Sequence, residues 1–270
     1  MIKKGGSLGV IILFCVIGLS GCVGTPTSEQ FHGTYAANDQ TILRVINLNG
    51  NVVITAGEEN NITLDAVKTS SYGKEELDKI SINVTRDGNY LEVQTIYSGV
   101  LSMKGSVDYT IKVPQMVVLD SVTSTNGAIQ ITGGKGDVIT SSSNGAIILS
   151  NIDGYVSAQT SNAHVQVTNT TGIQGGIHTS NGAITADVSD FHGTMSIETS
   201  NAGITVYLNP SLNAIIDMST SNGKITVEGV SLNVSVFEET HVFGSLGSNG
   251  SRLDIHTSNA NIHLRGLLLF

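Results

Sequence analysis

The sequence predicts an all-β chain whose body is a single-stranded parallel β-helix, a β-solenoid, behind an irregular N-terminal β cap. Three observations carry that expectation. A Ser/Thr-Asn step followed by Gly or Ala recurs with its asparagine at Asn126, Asn144, Asn162, Asn181, Asn201, Asn222 and Asn259. Around each of these, apolar and polar residues alternate with the period of half-buried strands. The composition, with no Trp, 5% aromatics, 3 Pro and 31 Gly in 270 residues, suits many short strands joined by tight turns.

The chain opens on Lys3 and Lys4, an apolar run over residues 8–19, and the small residues Ser20 and Gly21 before Cys22. Residues 1–21 read as an export signal, since the run is shorter than the roughly 20 apolar residues of a membrane span. The stretch LSGC resembles the lipobox of prokaryotic lipoproteins. That resemblance implies that the Cys22 thiolate takes up a diacylglyceryl group and becomes the new N-terminus, where two or more acyl chains anchor stably. The chain is therefore expected on the extracytoplasmic side, at the cell surface or in the periplasm, held to the membrane through Cys22. Cys15 leaves with the signal, so neither a disulfide framework nor a thiolate metal site is expected.

Loss of Lys3 and Lys4 leaves 11 basic against 22 acidic residues, a formal charge of −11. Such a surface repels nucleic acid. Residues 22–40 are small, polar and patternless and read as a flexible tether, with the folded part starting near Thr41.

Residues 41–120 hold the strand-like runs ILRVINL, NVVITA, NITLDAV, KISINVT, YLEVQTI and VDYTIKVP, with a short helix at GKEELDKI. They lack the later spacing, and read as the cap that shields one open end of the stack. LNGNVVITAG reads as a first, isolated Asn-Gly unit.

Residues 121–265 carry the repeats. The asparagines are spaced 18, 18, 19, 20, 21 and 37 residues apart, so the last interval reads as two units with one degenerate copy. Three residues after the asparagine stand Ile129, Ile147, Val165, Ile184, Ile204, Ile225 and Ile262. Two before it stand Ser124, Ser142, Thr160, Thr179, Thr199, Thr220 and Thr257, expected to face inward and bond backbone groups. A repeat this short buries its apolar stripe only by coiling, each turn stacking on the last through parallel strands about 4.8 Å apart. A meander of independent Asn-Gly hairpins would not keep register on both sides of the corner.

Stacking brings the seven asparagines into one column, expected to be inward, each amide bonding its neighbours. Where Ala follows the asparagine, the asparagine itself is expected to take the left-handed conformation. Residues 231–252 form the longest break in the pattern, and Phe237, His241 and Phe243 there are candidate contact residues, loops being frequent recognition sites. Residues 266–270, GLLLF, read as a C-terminal end cap.

The order LNGNVVITAG, then VDYTIKVP, then serial SNGAI-type units resembles the "putative adhesin" family of prokaryotic cell-surface proteins, a domain-of-unknown-function family of β-solenoid type, over residues 41–265. The resemblance implies architecture and, by analogy, adhesion. It brings no catalytic motif.

Little in the sequence points to chemistry. Three residues before the asparagine, His178 and Glu198 fall on adjacent repeats, facing outward; such a pair does acid–base work in a hydrolase and otherwise decorates a strand face. Asp187 and Glu228 share a column with Tyr207 between them. Thr185, Thr205 and Thr226 form a flat hydroxyl row. The histidines show no shared ligand spacing, and nucleotide-binding and nucleophile-elbow motifs are absent, so no catalytic residue, metal or cofactor is expected. The reading that results is a lipid-anchored surface display module whose partner is a protein or a glycan, with His178 and Glu198 as further contact candidates. A β-helix carbohydrate-active enzyme, whether polysaccharide lyase or glycosidase, and an envelope sensor or assembly partner are the alternatives.

Overall fold

The computed structural model describes residues 26–98, 104–248 and 250–267. The export signal, Cys22 and residues 268–270 of the expected end cap lie outside them. The described residues form 21 strands and one four-residue helix, joined in one sheet with both parallel and antiparallel pairs. The chain is all-β.

The first part comprises β1 (Thr27–Ala36), β2 (Ile42–Ile46), β3 (Val52–Gly57), β4 (Asn61–Ser70), α1 (Lys74–Leu77), β5 (Ile80–Asp87), β6 (Tyr90–Tyr97), β7 (Ser106–Pro114), β8 (Val118–Ser124) and β9 (Ile129–Thr132). The second comprises β10 (Val138–Ser142), β11 (Ile147–Gln159), β12 (Val165–His178), β13 (Ile184–Val188), β14 (Thr194–Thr199), β15 (Ile204–Leu208), β16 (Ala214–Thr220), β17 (Ile225–Glu228), β18 (Asn233–Phe237), β19 (His241–Leu246), β20 (Ser251–Thr257) and β21 (Ile262–Gly266).

The pairings fall into two parallel rows. Strands that follow a corner run β7, β3, β9, the first half of β11, the first half of β12, β13, β15, β21, β17. Strands that precede one run β6, β2, β8, β10, the second half of β11, the second half of β12, β14, β20, β16. Period-two alternation sends one side chain in two to the interior. Ile129, Ile147, Val165, Ile184, Ile204, Ile225 and Ile262 are all buried, and one continuous apolar cluster draws on both rows.

Antiparallel strands cover both rows at one end and one row at the other, where β17 pairs with β21 alone. At one, β4 covers β7, β1 covers β4 and β5 covers β6. At the other, β19 covers β16 and β18 covers β19.

Three expectations need correction. The tether is ordered from Thr27, because β1 pairs with β4 through ten consecutive residue pairs; its alternation of polar and half-buried residues suits an edge strand with one wet face.

The segment 41–120 is only partly a cap. β2 and β3 are a full repeat, held between β6/β7 on one side and β8/β9 on the other. The LNGNVVITAG unit is thus stacked rather than isolated.

The 37-residue interval holds no degenerate copy. The last repeat, β20/β21, lies between β14/β15 and β16/β17, and residues 231–252 contain the β18–β19 hairpin. The physical reason is edge protection: the hairpin seals the outer edge of β16, and the returning chain finds both of its edges paired.

Candidate functional site

At each corner the chain turns out of one row and into the other. The asparagines stand on the outside of that turn and are exposed, so the inward column expected for them is corrected. They do form a ladder. Asn144, Asn162, Asn181, Asn201, Asn259 and Asn222 each donate Nδ2 to the Oδ1 of the neighbour in the stack, at 2.6, 2.6, 2.8, 2.7, 2.8 and 2.9 Å. Asn126 donates in the same way to Asn49, a ladder member that the irregular spacing of the first repeat concealed.

The inward column belongs to the hydroxyls. Ser124, Ser142, Thr160, Thr179, Thr199, Thr220 and Thr257 are all buried. Each donates to the corner carbonyl of the adjacent repeat, as Ser142 does to Gly127 at 3.1 Å, Thr199 to Gly182 at 2.9 Å and Thr257 to Ala202 at 2.9 Å. Several also accept the corner N–H of their own repeat, Gly145 to Ser142 at 2.9 Å for one. A buried carbonyl at a turn lies outside the strand ladder, and these hydroxyls satisfy it.

In the first repeat Asn47 takes this place, donating to the Gly50 and Val107 carbonyls at 2.9 Å each and accepting from Thr95 at 2.8 Å. Thr95 meets the Tyr109 hydroxyl at 2.7 Å, and burial pushes the Tyr109 phenol up to about 12.

The corner asparagines do not adopt the left-handed conformation. Among the described residues, positive φ outside glycine occurs at Asn151 and Asn169, away from the corners. The small residue after each asparagine answers instead to close stacking: a Cβ on Gly127 would overlap the Gly50 carbonyl, and one on Gly145 the Gly127 carbonyl.

The outer face of the second row carries the acid–base candidates. His178 Nδ1 and Glu198 Oε2 are 3.8 Å apart, with side chains 36% and 48% exposed. The inserted last repeat places His256 beside Glu198 and Ser219 beside His256, the latter pair 3.0 Å apart. Then comes His241, which meets Asp217 at 3.0 Å. Arg252 bridges Asp217 and Asp254 at 2.7 and 2.8 Å.

Of the remaining candidates, Phe243 lies half-buried on β19 opposite Asp217, while Phe237 at the outer strand β18 is 69% exposed. The same insertion breaks the threonine row, since His263 enters between Thr205 and Thr226 and meets Thr226 at 2.6 Å. It also puts Arg265 between Tyr207 and Glu228. Burial raises the Asp187 carboxyl above its ordinary value.

Depressions open on the surface of the described residues, and two of them bear on function. One, of about 350 Å³, is lined by Asn151, Ile152, Asp153, Asn169, Thr170 and Thr171. The other, of about 510 Å³, is lined by Arg44, Thr85, Asp87, Tyr90 and Glu92. Elsewhere Tyr155 donates to Asp190 at 2.5 Å, and that bond holds its phenol up at about 12. Among the described residues no three His, Cys, Asp or Glu side chains converge as a metal site, and no helix is long and apolar enough to cross a membrane.

Fold and surface together define an all-β repeat protein with its polar side chains set out in columns. Among solved structures it is similar to a "putative cell adhesion protein" from Clostridium sporogenes ATCC 15579, with 16% identity over 90% of this chain and 100% of that one and a TM-score of 0.36. It is also similar to a "putative adhesin" from Bacteroides fragilis NCTC 9343, with 11% identity over 88% of this chain and 97% of that one and a TM-score of 0.39. No protein-family model and no curated protein matches the chain.

Proposed function

We propose that the chain is an adhesin-like display module, lipid-anchored through Cys22 on the extracytoplasmic side and without catalysis of its own, whose repeats coil as a single-stranded parallel β-helix. The observation that carries this reading is the parallel stacking of the repeats in both rows, kept in register at the corners by an outer amide ladder and an inner hydroxyl column. A body held at every turn is stiff along its length. It presents outward positions that differ from repeat to repeat, and recognition is served by variable positions on a rigid scaffold. The net negative surface favours partners other than nucleic acid.

Display accounts for the His178–Glu198 pair without chemistry. Both side chains are partly solvated, and a pair on a wet strand face contributes about 1 kcal/mol at most. In a polysaccharide-cleavage assay Glu198→Gln is expected to match the parent.

The test has two parts. Cys22→Ser is expected to move the protein from the membrane to the soluble fraction. Beads coated with that soluble form are expected to retain intact bacterial or host cells above beads coated with albumin. Protein that stays with the membrane after Cys22→Ser removes the anchor from the reading, and beads that retain no cells remove the adhesive role.

A further inference from the structure

The depression around Arg44 is lined by β2 and by the β5–β6 hairpin, and β8 supports it from the far side of β2. β5 pairs antiparallel with β6, setting Thr85 opposite Glu92 and Asp87 opposite Tyr90. β6 pairs parallel with β2, setting Glu92 beside Arg44. On the far side, the pairing of β2 with β8 slips between Leu43 and Arg44, so that Leu119 faces Leu43 while Ser121 faces Arg44. Asp120 is the extra residue of this bulge. Bulges re-aim a side chain and bend the strand, and here the carboxylate turns onto Arg44, accepting from Nε at 3.0 Å and from Nη2 at 2.6 Å.

Arg44 is thereby held with its guanidinium carbon 5.0 Å from the centroid of the Tyr90 ring, and its Nη1 is 3.8 Å from Glu92. Ion pairs on an exposed strand face are worth little in stability; what these do is fix Arg44. Tyr90 remains 41% exposed, and Asp87 makes no ion pair among the described residues. The volume of about 510 Å³ falls within the roughly 300 to 1,000 Å³ of small-ligand sites.

Resting on the display reading above, we propose that this cleft binds a neutral saccharide unit of a surface glycan, with Tyr90 packing against the apolar face of the sugar ring and Glu92, Asp87 and Thr85 bonding its hydroxyls beside the fixed Arg44. Carboxylates accept from sugar hydroxyls and a guanidinium donates to them, while an aromatic ring supplies apolar area with directional edges. The lining is too polar for an apolar ligand. Arg44 pairs with Glu92 and Asp120, and Asp87 adds a third carboxylate to the cleft and its border, so an acidic sugar is repelled.

The detergent-solubilised full chain is titrated calorimetrically with maltotetraose, cellotetraose, mannotetraose and chitotetraose, and with tetralysine and tetragalacturonate as charged controls. At least one neutral tetrasaccharide is expected to bind. Tyr90→Ala and Glu92→Gln are each expected to weaken it by about tenfold or more while keeping the parental thermal midpoint, and Ile139→Ala, exposed elsewhere on the same row, is expected to leave it unchanged. The assignment is overturned if no neutral tetrasaccharide binds, if tetralysine or tetragalacturonate binds in its place, or if Tyr90→Ala and Glu92→Gln bind like the parent. Beads carrying the parent chain separate the two readings: cell retention by a parent that binds no neutral tetrasaccharide leaves display standing and removes the cleft, whereas parent beads that retain no cells remove display itself.

Discussion

Thr199 and Asn181 lie one repeat apart on opposite sides of the corner backbone, and their surroundings set different costs for losing a hydrogen bond. The Thr199 hydroxyl is buried and donates to the Gly182 carbonyl at 2.9 Å; Thr199→Val keeps the shape and orphans that carbonyl away from water, at about 1–3 kcal/mol. Asn181 is exposed, so water replaces the lost amide bonds of Asn181→Leu, at less than about 1 kcal/mol. Urea unfolding followed by circular dichroism should order the two variants this way, and the reverse order would return the structural role to the asparagines. Tyr109 gives a second prediction, in pH. Burial lifts its phenol from 10.0 to about 12, so the folded state holds its proton more tightly than the unfolded chain. The associated stability is fully present below pH 10 and is lost as pH rises towards 12, amounting to roughly 3 kcal/mol for a shift of that size. Tyr109→Phe should flatten the fall in urea midpoint over that window; an unchanged slope would assign the alkaline loss to another group.

At the scale of elements, the sequence reveals registers and hides the order of stacking. The apolar columns were legible because the inward residues next to each corner obey period two, as Ile129 and Ile131 or Ile184, Ala186 and Val188 do. The asparagine direction was not, because the inward positions on either side of the corner, such as Thr179 and Ile184, are five residues apart, an odd number that breaks the alternation at the turn. Stacking order was hidden for a different reason: repeats that share a register can pair with one another in any sequence, and only the β18–β19 hairpin decides that β20/β21 enters before β16/β17. The cleft depends on the same kind of information, since Arg44, Glu92 and Asp120 meet through non-sequential pairings and one bulge. Cysteine cross-links test the order directly. Neighbouring strands sit about 4.8 Å apart and disulfides need Cα atoms roughly 4.4 to 6.8 Å apart. With Cys15 and Cys22 replaced by Ser, the pair Thr205→Cys and His263→Cys should oxidise to a cross-linked monomer, whereas Thr205→Cys with Thr226→Cys should not. Stacking in sequence order would give the opposite result.

Across the whole molecule, the first and last repeats are held alike, and this changes how a repeat protein of this kind should come apart. In a plain linear stack each repeat touches only its sequence neighbours, and the terminal repeats fray first. Here the first repeat, β2/β3, is sandwiched between later strands, and the last, β20/β21, is sandwiched between earlier ones. Neither can leave without breaking ladders on both of its edges. Leu253, Ile255, Ile262 and Leu264 are correspondingly buried although they lie near the end of the chain. Protection against hydrogen exchange follows the free energy of the opening that exposes an amide, so the amides of β20 and β21 should exchange as slowly as those of β13 and β15, and more slowly than those of the outer strands β1, β17 and β18. Mass-spectrometric exchange on peptides covering residues 251–266 measures this. Faster exchange there than in β16 and β17 would mean that the last repeat sits at the end of the stack, and the interleaved closure of the molecule would be wrong.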